Sequence, residues 1–133
     1  MRLIASAIVV LPGLMPAGLA ARPTSLDICG VTVTRDAIWH ADPNGRQTPE
    51  SCAGFRLSSR AALRWFTRAR EATQHEWLHE LDWTQCSAEG TLHTSDGRTL
   101  KWEIDQAGRA RIIVSPTAFV FLGGPELPMR RRP

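Results

Sequence analysis

The sequence predicts an α+β domain in which one long helix packs on an antiparallel meander of three to five strands. Two periodicities in the 133-residue chain lead to this prediction. Apolar residues recur at helical spacing between Arg60 and Glu80, and from Glu89 onward apolar and polar residues alternate. Because each pattern gives its element one apolar side, we expect the helix to lie across one face of the sheet.

The helix prediction depends on apolar residues that fall close to one line at about 100° per residue. Ser59 is expected to cap the first turn, since a serine hydroxyl can accept a hydrogen bond from a free backbone N–H there. The helix then runs from Arg60 to about Glu80, with a break near Thr73-Gln74 left open. The aligned residues are Ala62, Leu63, Phe66, Ala69, Trp77 and Leu81.

Strand signals lie on both sides of this helix. Before it, Ile28 to Val33 alternates, whereas the stretch from Trp39 to Gly54 carries turn residues and is expected to be a loop. After it, Leu100, Trp102 and Ile104 are expected to point together into the core. The strands predicted after the helix are Glu89–Thr94, Thr99–Asp105, Arg109–Ser115 and Ala118–Leu122.

The first twenty residues indicate export. Arg2 gives a positive start, Leu3 to Leu11 is apolar, and Gly18-Leu19-Ala20 offers small residues for cleavage. The apolar run is interrupted by Pro12-Gly13 and is much shorter than the ~20 residues that a membrane span needs. We therefore expect residues 1–20 to be a signal peptide, and the mature protein to be periplasmic or secreted without a membrane span.

Length and charge limit the remaining organisation. Residues 21–122 are expected to form a single α+β domain, and residues 123–133 a disordered tail rich in Pro and Arg. The formal net charge is +3, and much of the excess lies in Arg130 to Arg132. A nucleic-acid-binding protein typically carries a basic stripe on a folded face. No nucleic-acid partner is therefore predicted.

Three cysteines predict one disulfide in an oxidising compartment, and three pairings are possible. We favour Cys52 with Cys86. A helix of twenty-odd residues spans roughly 30 Å, and the extended residues before Ser59 could carry Cys52 back along it by about 20 Å. Cys29 is then expected to be a buried free thiol, with an intermolecular bridge as the alternative.

Residues 75–79 read HEWLH and match the H-E-x-x-H zinc motif. In that motif both histidines bind zinc and the glutamate acts as general base, here His75, His79 and Glu76. The extended pattern fails, because Asp82 and Gln85 stand where Gly and a third His are needed. We therefore favour solvent-facing histidines with no metal and no cofactor, and keep zinc binding as the alternative.

The five tryptophans are many for a chain of this length. Trp77 and Trp102 are expected in the core. Trp65 lies off the apolar line of the helix and Trp39 lies in a predicted loop. Because exposed tryptophan is typical of interface hot spots, Trp39 and Trp65 are predicted as possible partner contacts.

The stretch from Cys52 to Leu122 resembles a group of small exported proteins of Proteobacteria with no established function. The resemblance implies an exported α+β domain and implies no activity. Members often end in Leu-x-Cys, where this chain has Leu122-Gly123-Gly124. The residues that carry the resemblance are Cys52-x-x-Phe55-x-Leu57, Phe66-x-x-Ala69, His79-x-x-Asp82-Trp83-Thr84-x-Cys86-x-Ala88-x-Gly90, Asp96-Gly97-Arg98, Trp102-x-Ile104 and Gly108.

Three functions follow as hypotheses. The favoured one is a small exported, non-catalytic binding or inhibitor-type protein with a partner in the cell envelope. The second is a zinc-dependent hydrolase that uses His75, His79 and Glu76. The third is a structural envelope protein, linked to a partner through Cys29.

Overall fold

A computed structural model describes residues 26–130 of the chain. The predicted signal peptide and the last three residues lie outside the described residues. Within them, no helix is long and apolar enough to cross a membrane. The elements are β1 (Ile28–Trp39), α1 (Pro49–Cys52), α2 (Ser59–Arg68), β2 (Arg70–Ala72), α3 (Gln74–His79), β3 (Cys86–Thr94), β4 (Thr99–Asp105), β5 (Arg109–Ser115) and β6 (Ala118–Gly123).

The predicted α+β mixture is confirmed, and the sheet is larger than the meander expected. Six strands pair in the order β1-β3-β4-β5-β6-β2, and every neighbouring pair is antiparallel. The meander β3 to β6 forms the centre, joined by short turns. In the turn between β3 and β4, Gly97 has a φ of 91°, a conformation that glycine adopts without steric cost.

One face of the sheet forms the core. Leu100, Trp102 and Ile104 are all buried there, which confirms the alternation predicted for β4. Helix α2 packs on this face, and the ring centroids of Phe66 and Trp102 lie 5.4 Å apart in an edge-on arrangement. Because strand residues alternate between faces, the intervening residues of β3 and β4 face away from the core. On β3 and β4 those residues are mainly polar, whereas β5 and β6 add Ile113, Phe119 and Phe121 to the same face.

The single long helix is wrong. Helix α2 ends at Arg68, and Ala69 is extended with a ψ of 150°. The chain then forms β2, which pairs with β6, before a new helix starts after Thr73. Ser58 caps α2 in place of Ser59. The physical reason for the break is that β2 gains backbone hydrogen bonds at the edge of the sheet, while Thr73 supplies a new helix start.

The segment after β6 also differs from the expected disordered tail. Leu127 is buried, and its backbone N–H donates to the carbonyl oxygen of Gln106 at 2.9 Å. Arg130 makes a similar backbone bond to Gly54 at 2.8 Å. Residues 124–130 therefore pack along the domain, held by buried apolar surface and by backbone bonds rather than by a strand or helix.

The predicted disulfide is confirmed between Cys52 and Cys86, whose Cα atoms lie 5.0 Å apart. It joins α1 to the first residue of β3. Cys29 is free, as expected, but it is exposed rather than buried. The reason is its place on the edge strand β1, where the register shifts between Ile28 and Gly30 and leaves Cys29 without a cross-strand partner.

Loss of the disulfide should destabilise the domain strongly. The bond closes a loop with a sequence separation of 34, for which chain entropy predicts a loss of about 4 kcal/mol in the free energy of unfolding. We expect this loss in the Cys52→Ala/Cys86→Ala variant, measured by urea unfolding. The control Cys29→Ser should stay within about 0.5 kcal/mol of the wild type, because an exposed thiol contributes little. Equal losses in both variants would contradict the assigned pairing.

Candidate functional site

A cleft of about 370 Å³ opens on the polar face of the sheet, at the end where β3 begins and β4 ends. Its floor carries four polar side chains that we call the polar row, His40, Ser87, Asp105 and Arg109. Its rim carries Leu78, from α3, and Trp83, from the loop that follows. The cleft therefore brings apolar side chains together with a few convergent polar groups, a combination found in binding sites.

The strand register builds the polar row. Ser87 of β3 lies opposite Asp105 of β4, and Asp105 lies opposite Arg109 of β5. Cross-strand partners point to the same face, and neighbouring strands are about 4.8 Å apart. The three side chains therefore stand side by side across three strands.

His40 completes the row because β1 changes direction before it. Ala37 has a φ of 54°, in the left-handed region that non-glycine residues rarely adopt. Pairing with β3 then resumes, with Ile38 opposite Ser87. The imidazole Nε2 of His40 lies 2.6 Å from the hydroxyl oxygen of Ser87. The irregular backbone thus places the histidine over the start of β3.

Gln85 fixes the loop that carries His40. Its side-chain nitrogen donates to the backbone carbonyl oxygen of His40 at 2.8 Å. Its side-chain oxygen accepts from the backbone N–H of Gln47, also at 2.8 Å. The backbone N–H of His40 in turn donates to the carbonyl oxygen of Gln85 at 2.9 Å. Because Cys86 is disulfide-bonded to Cys52, this wall of the cleft is held by covalent and hydrogen bonds together.

Asp105 and Arg109 form the deepest ion pair, 3.3 Å between Oδ2 and Nε. Burial raises the pKa of Asp105 to about 6, and the neighbouring Arg109 opposes this rise without cancelling it. Arg109 also donates from Nη1 to the carbonyl oxygen of Trp77 at 2.9 Å and lies 4.0 Å from the centre of its ring. The guanidinium therefore links the sheet to α3.

Trp77 holds helix α3 against the sheet. The indole N–H of Trp77 donates to the carbonyl oxygen of Ala110 at 2.8 Å, and its ring lies 5.2 Å from that of Phe121. With Trp77 directed at the sheet, the next residue, Leu78, is 51% exposed. The short helix thus presents an apolar side chain at the rim.

Two carboxylates extend the site along the polar face. Glu89 and Glu103 line the cleft and also an adjoining cavity of about 450 Å³. They lie directly opposite each other on β3 and β4. Arg35 approaches Glu89 at 3.8 Å and Arg111 approaches Glu103 at 3.0 Å, each from the outer side of the pair.

The HEWLH segment lies on α3 with its glutamate already engaged. Glu76 accepts from Arg70 at 2.9 Å and from the backbone N–H of Thr73 at 3.2 Å, and the hydrogen bond from Arg70 lowers its pKa. The rings of His75 and His79 are 4.9 Å apart on the exposed side. Within residues 26–130, no group of three or more His, Cys, Asp or Glu side chains is arranged to hold a metal ion.

The two tryptophans predicted as partner contacts differ in placement. Trp65 is 3% exposed, and its indole N–H donates to the carbonyl oxygen of Pro125 at 2.7 Å. It cannot contact a partner, because the 124–130 segment covers it. Trp39 is 37% exposed and donates to the carbonyl oxygen of Gln47, next to the His40 side of the cleft.

Three residues of the polar row carry no sign in the sequence that they belong together. Ser87, Asp105 and Arg109 lie on different strands, and only the register brings them together. Trp83 is 45% exposed at the rim, a position that no local pattern indicates. One available signal was Thr73-x-x-Glu76, a capping box that marks the start of α3.

Comparison of the chain with family models, with curated proteins and with solved structures finds no match.

The titration of Asp105 tests the polar row. Its folded pKa of about 6 exceeds the ordinary 3.8, so the folded state binds this proton more tightly than the unfolded chain. The stability that Asp105 contributes is therefore present at low pH and is lost as pH rises from about 4 to about 6. A carboxyl ¹³C titration by NMR should show the midpoint near 6. In Arg109→Gln the midpoint should move higher, because the opposing positive charge is gone; a midpoint that stays near 4 in both proteins would contradict the buried pair.

Proposed function

We propose that the protein is a small exported, non-catalytic binding or inhibitor-type protein whose envelope partner docks on the cleft. The observation that carries this proposal is the clustering of exposed apolar side chains. Within residues 26–130, only Trp39, Leu78 and Trp83 are large, hydrophobic and exposed. Leu78 and Trp83 line the same cleft, and Trp39 directly precedes its His40 wall.

The surroundings of these side chains favour binding. Exposed tryptophan beside organised polar groups is typical of interface hot spots, where a few residues supply most of the binding energy. The polar row is held in place by the His40–Ser87 contact and the Asp105–Arg109 pair before any partner arrives. A preorganised floor reduces the entropy lost on association. The polar groups of the floor can then orient the partner and select it over other molecules.

The disulfide fits an exported protein. Disulfide bonds persist in oxidising compartments and are rare in the reducing cytosol. The Cys52–Cys86 bond also stiffens the wall that carries Gln85 and His40. The same bond therefore suits both an oxidising compartment outside the cytosol and a rigid binding cleft.

The zinc-hydrolase hypothesis receives less support from the geometry. The close rings of His75 and His79 suit a shared metal. A general base would have to face the metal-bound water, whereas Glu76 here caps its own helix and pairs with Arg70. The histidines also lie on the exposed side of α3, outside the set of residues that line the cleft.

Photo-crosslinking tests the docking site. A photoreactive amino acid at position 78 or 83 should form the same covalent product with an envelope component when cells that export the protein are irradiated. The reason is that both side chains lie on one rim. The matched control is position 60, because Arg60 is exposed on α2 behind the opposite face of the sheet. The product is identified by mass spectrometry.

Two outcomes would contradict the proposal: the absence of any product from positions 78 and 83, or the same products from position 60. Where a partner is captured, Trp83→Ala should weaken its binding by at least about 2 kcal/mol, as expected of a hot spot.

A further inference from the structure

We infer that the Asp105–Arg109 ion pair controls the α3 side of the cleft, so that Leu78 is held in its docking position at neutral pH and released in acid. The control itself is a property of the folded domain, and its consequence for docking rests on the proposed function. Two features of the geometry lead to it, namely the bonds of Arg109 and the anchoring of α3.

Arg109 joins the floor of the cleft to the end of α3. Its Nε donates to Asp105 at 3.3 Å, and its Nη1 donates to the backbone carbonyl oxygen of Trp77 at 2.9 Å. The last carbonyl groups of a helix lack partners within the helix. Here the N–H of Leu81, four residues after Trp77, bonds to Glu76 instead. Arg109 therefore supplies a donor for the Trp77 carbonyl, as basic side chains often do at helix ends.

Helix α3 depends on such contacts because it contributes nothing to the core. It is six residues long, and none of them is buried. A helix of this length is unstable in water by itself. Near its start Glu76 pairs with Arg70 at 2.9 Å. At its end the Trp77 ring lies on the sheet beneath the guanidinium of Arg109. Movement of Arg109 is therefore transmitted to the next residue, Leu78, at the rim.

Asp105 is the counter-ion that keeps Arg109 in place. The side chains of Asp105 and Arg109 are only 10% and 17% exposed, so water screens their attraction little. Protonation of Asp105 leaves a nearly buried guanidinium without a counter-ion, which is unfavourable. We expect Arg109 then to turn toward solvent and toward Glu103, another carboxylate that lines the cleft. This movement breaks the bond to the Trp77 carbonyl and frees the end of α3.

Burial places this change in an accessible pH range. Loss of hydration raises the pKa of Asp105 to about 6, against the opposing attraction of Arg109 and of backbone N–H groups such as that of Thr84. Asp105 is therefore charged above about pH 6 and neutral below it. His40 also lies in the cleft, and histidine ordinarily changes charge between pH 5 and 8. Helix α3 and the loop after it add only uncharged lining residues; the other charged lining residues are Asp42, Glu89 and Glu103.

NMR of the ¹⁵N-labelled protein across the acid to neutral range tests this control without a partner. The indole N–H of Trp77 and the amide of Leu78 should shift with a common midpoint near 6, together with the carboxyl carbon of Asp105. The α3 amides should exchange with solvent more freely on the acid side, because local opening becomes easier. Absence of these shifts, or a midpoint different from that of Asp105, would overturn the inference.

Asp105→Asn removes the charge and keeps the shape of the side chain. At neutral pH this variant should show the acid signals of Trp77, and its α3 amides should exchange roughly tenfold faster, as expected when one hydrogen bond to a charged group is lost. The matched control is Asp96→Asn, which removes the carboxylate of another Asp–Arg pair in the turn between β3 and β4. It should keep the wild-type titration.

Two further results separate control of α3 from other effects. His40→Gln should keep the midpoint near 6; a titration of Trp77 that disappears in this variant would make histidine responsible and overturn the inference. Asp105→Asn should unfold at a urea concentration no lower than wild type, because burial favours the neutral form of this side chain. Faster exchange throughout the sheet together with easier unfolding would show a purely structural role and would also overturn it.

The consequence for docking is tested with the photoreactive amino acid at position 78. The yield of its crosslinked product should fall from neutral to mildly acid pH, and it should be low at both in Asp105→Asn. An equal yield at both pH values would overturn the inference while leaving the cleft as a docking site. Absence of any product from positions 78 and 83 would contradict the proposed function, whereas the titration of Trp77 would still decide whether Asp105 controls α3.

Discussion

The register between β3 and β4 is the constraint on which both faces of the domain depend. It sets Ala88 opposite Ile104 on the core side, and Ser87 opposite Asp105 on the other side. A slip of one residue would exchange the faces, because side chains alternate along a strand. Burial of Trp102 and Ile104 therefore fixes the polar row as well as the core. The chemistry of the cleft is a consequence of how the apolar residues pack.

The turns and the sheet interior were predictable because their signals are local. Leu100, Trp102 and Ile104 alternate with polar residues, and Gly97 stands where the hairpin needs a positive φ. The Cys52–Cys86 pairing was also predicted, but from a long helix that does not exist. In the structure the two cysteines meet because α1 ends beside the start of β3. The pairing was right and its premise was wrong.

The errors share one cause, since each depends on contacts between distant segments. Helical periodicity continues past Arg68, but pairing of β2 with β6 interrupts the helix, and Thr73 then restarts it. Trp65 lies off the apolar line, yet the 124–130 segment covers it. The site was not predicted for the same reason: no local pattern indicates that Ser87, Asp105 and Arg109 are neighbours. In each case contacts between distant segments outweighed the local sequence pattern.

The two faces of the sheet have different roles. One face is covered by α2 and by the buried Cys52–Cys86 disulfide, and the other carries the charged residues. Its polar row, its apolar rim and the Glu89–Glu103 pair are all arranged by the same strands. The most direct test is the set of cross-strand NOEs in the mature protein. Contacts that pair Ser87 with Asp105 and Glu89 with Glu103 are predicted. A register displaced by one residue would bury these side chains and contradict the account.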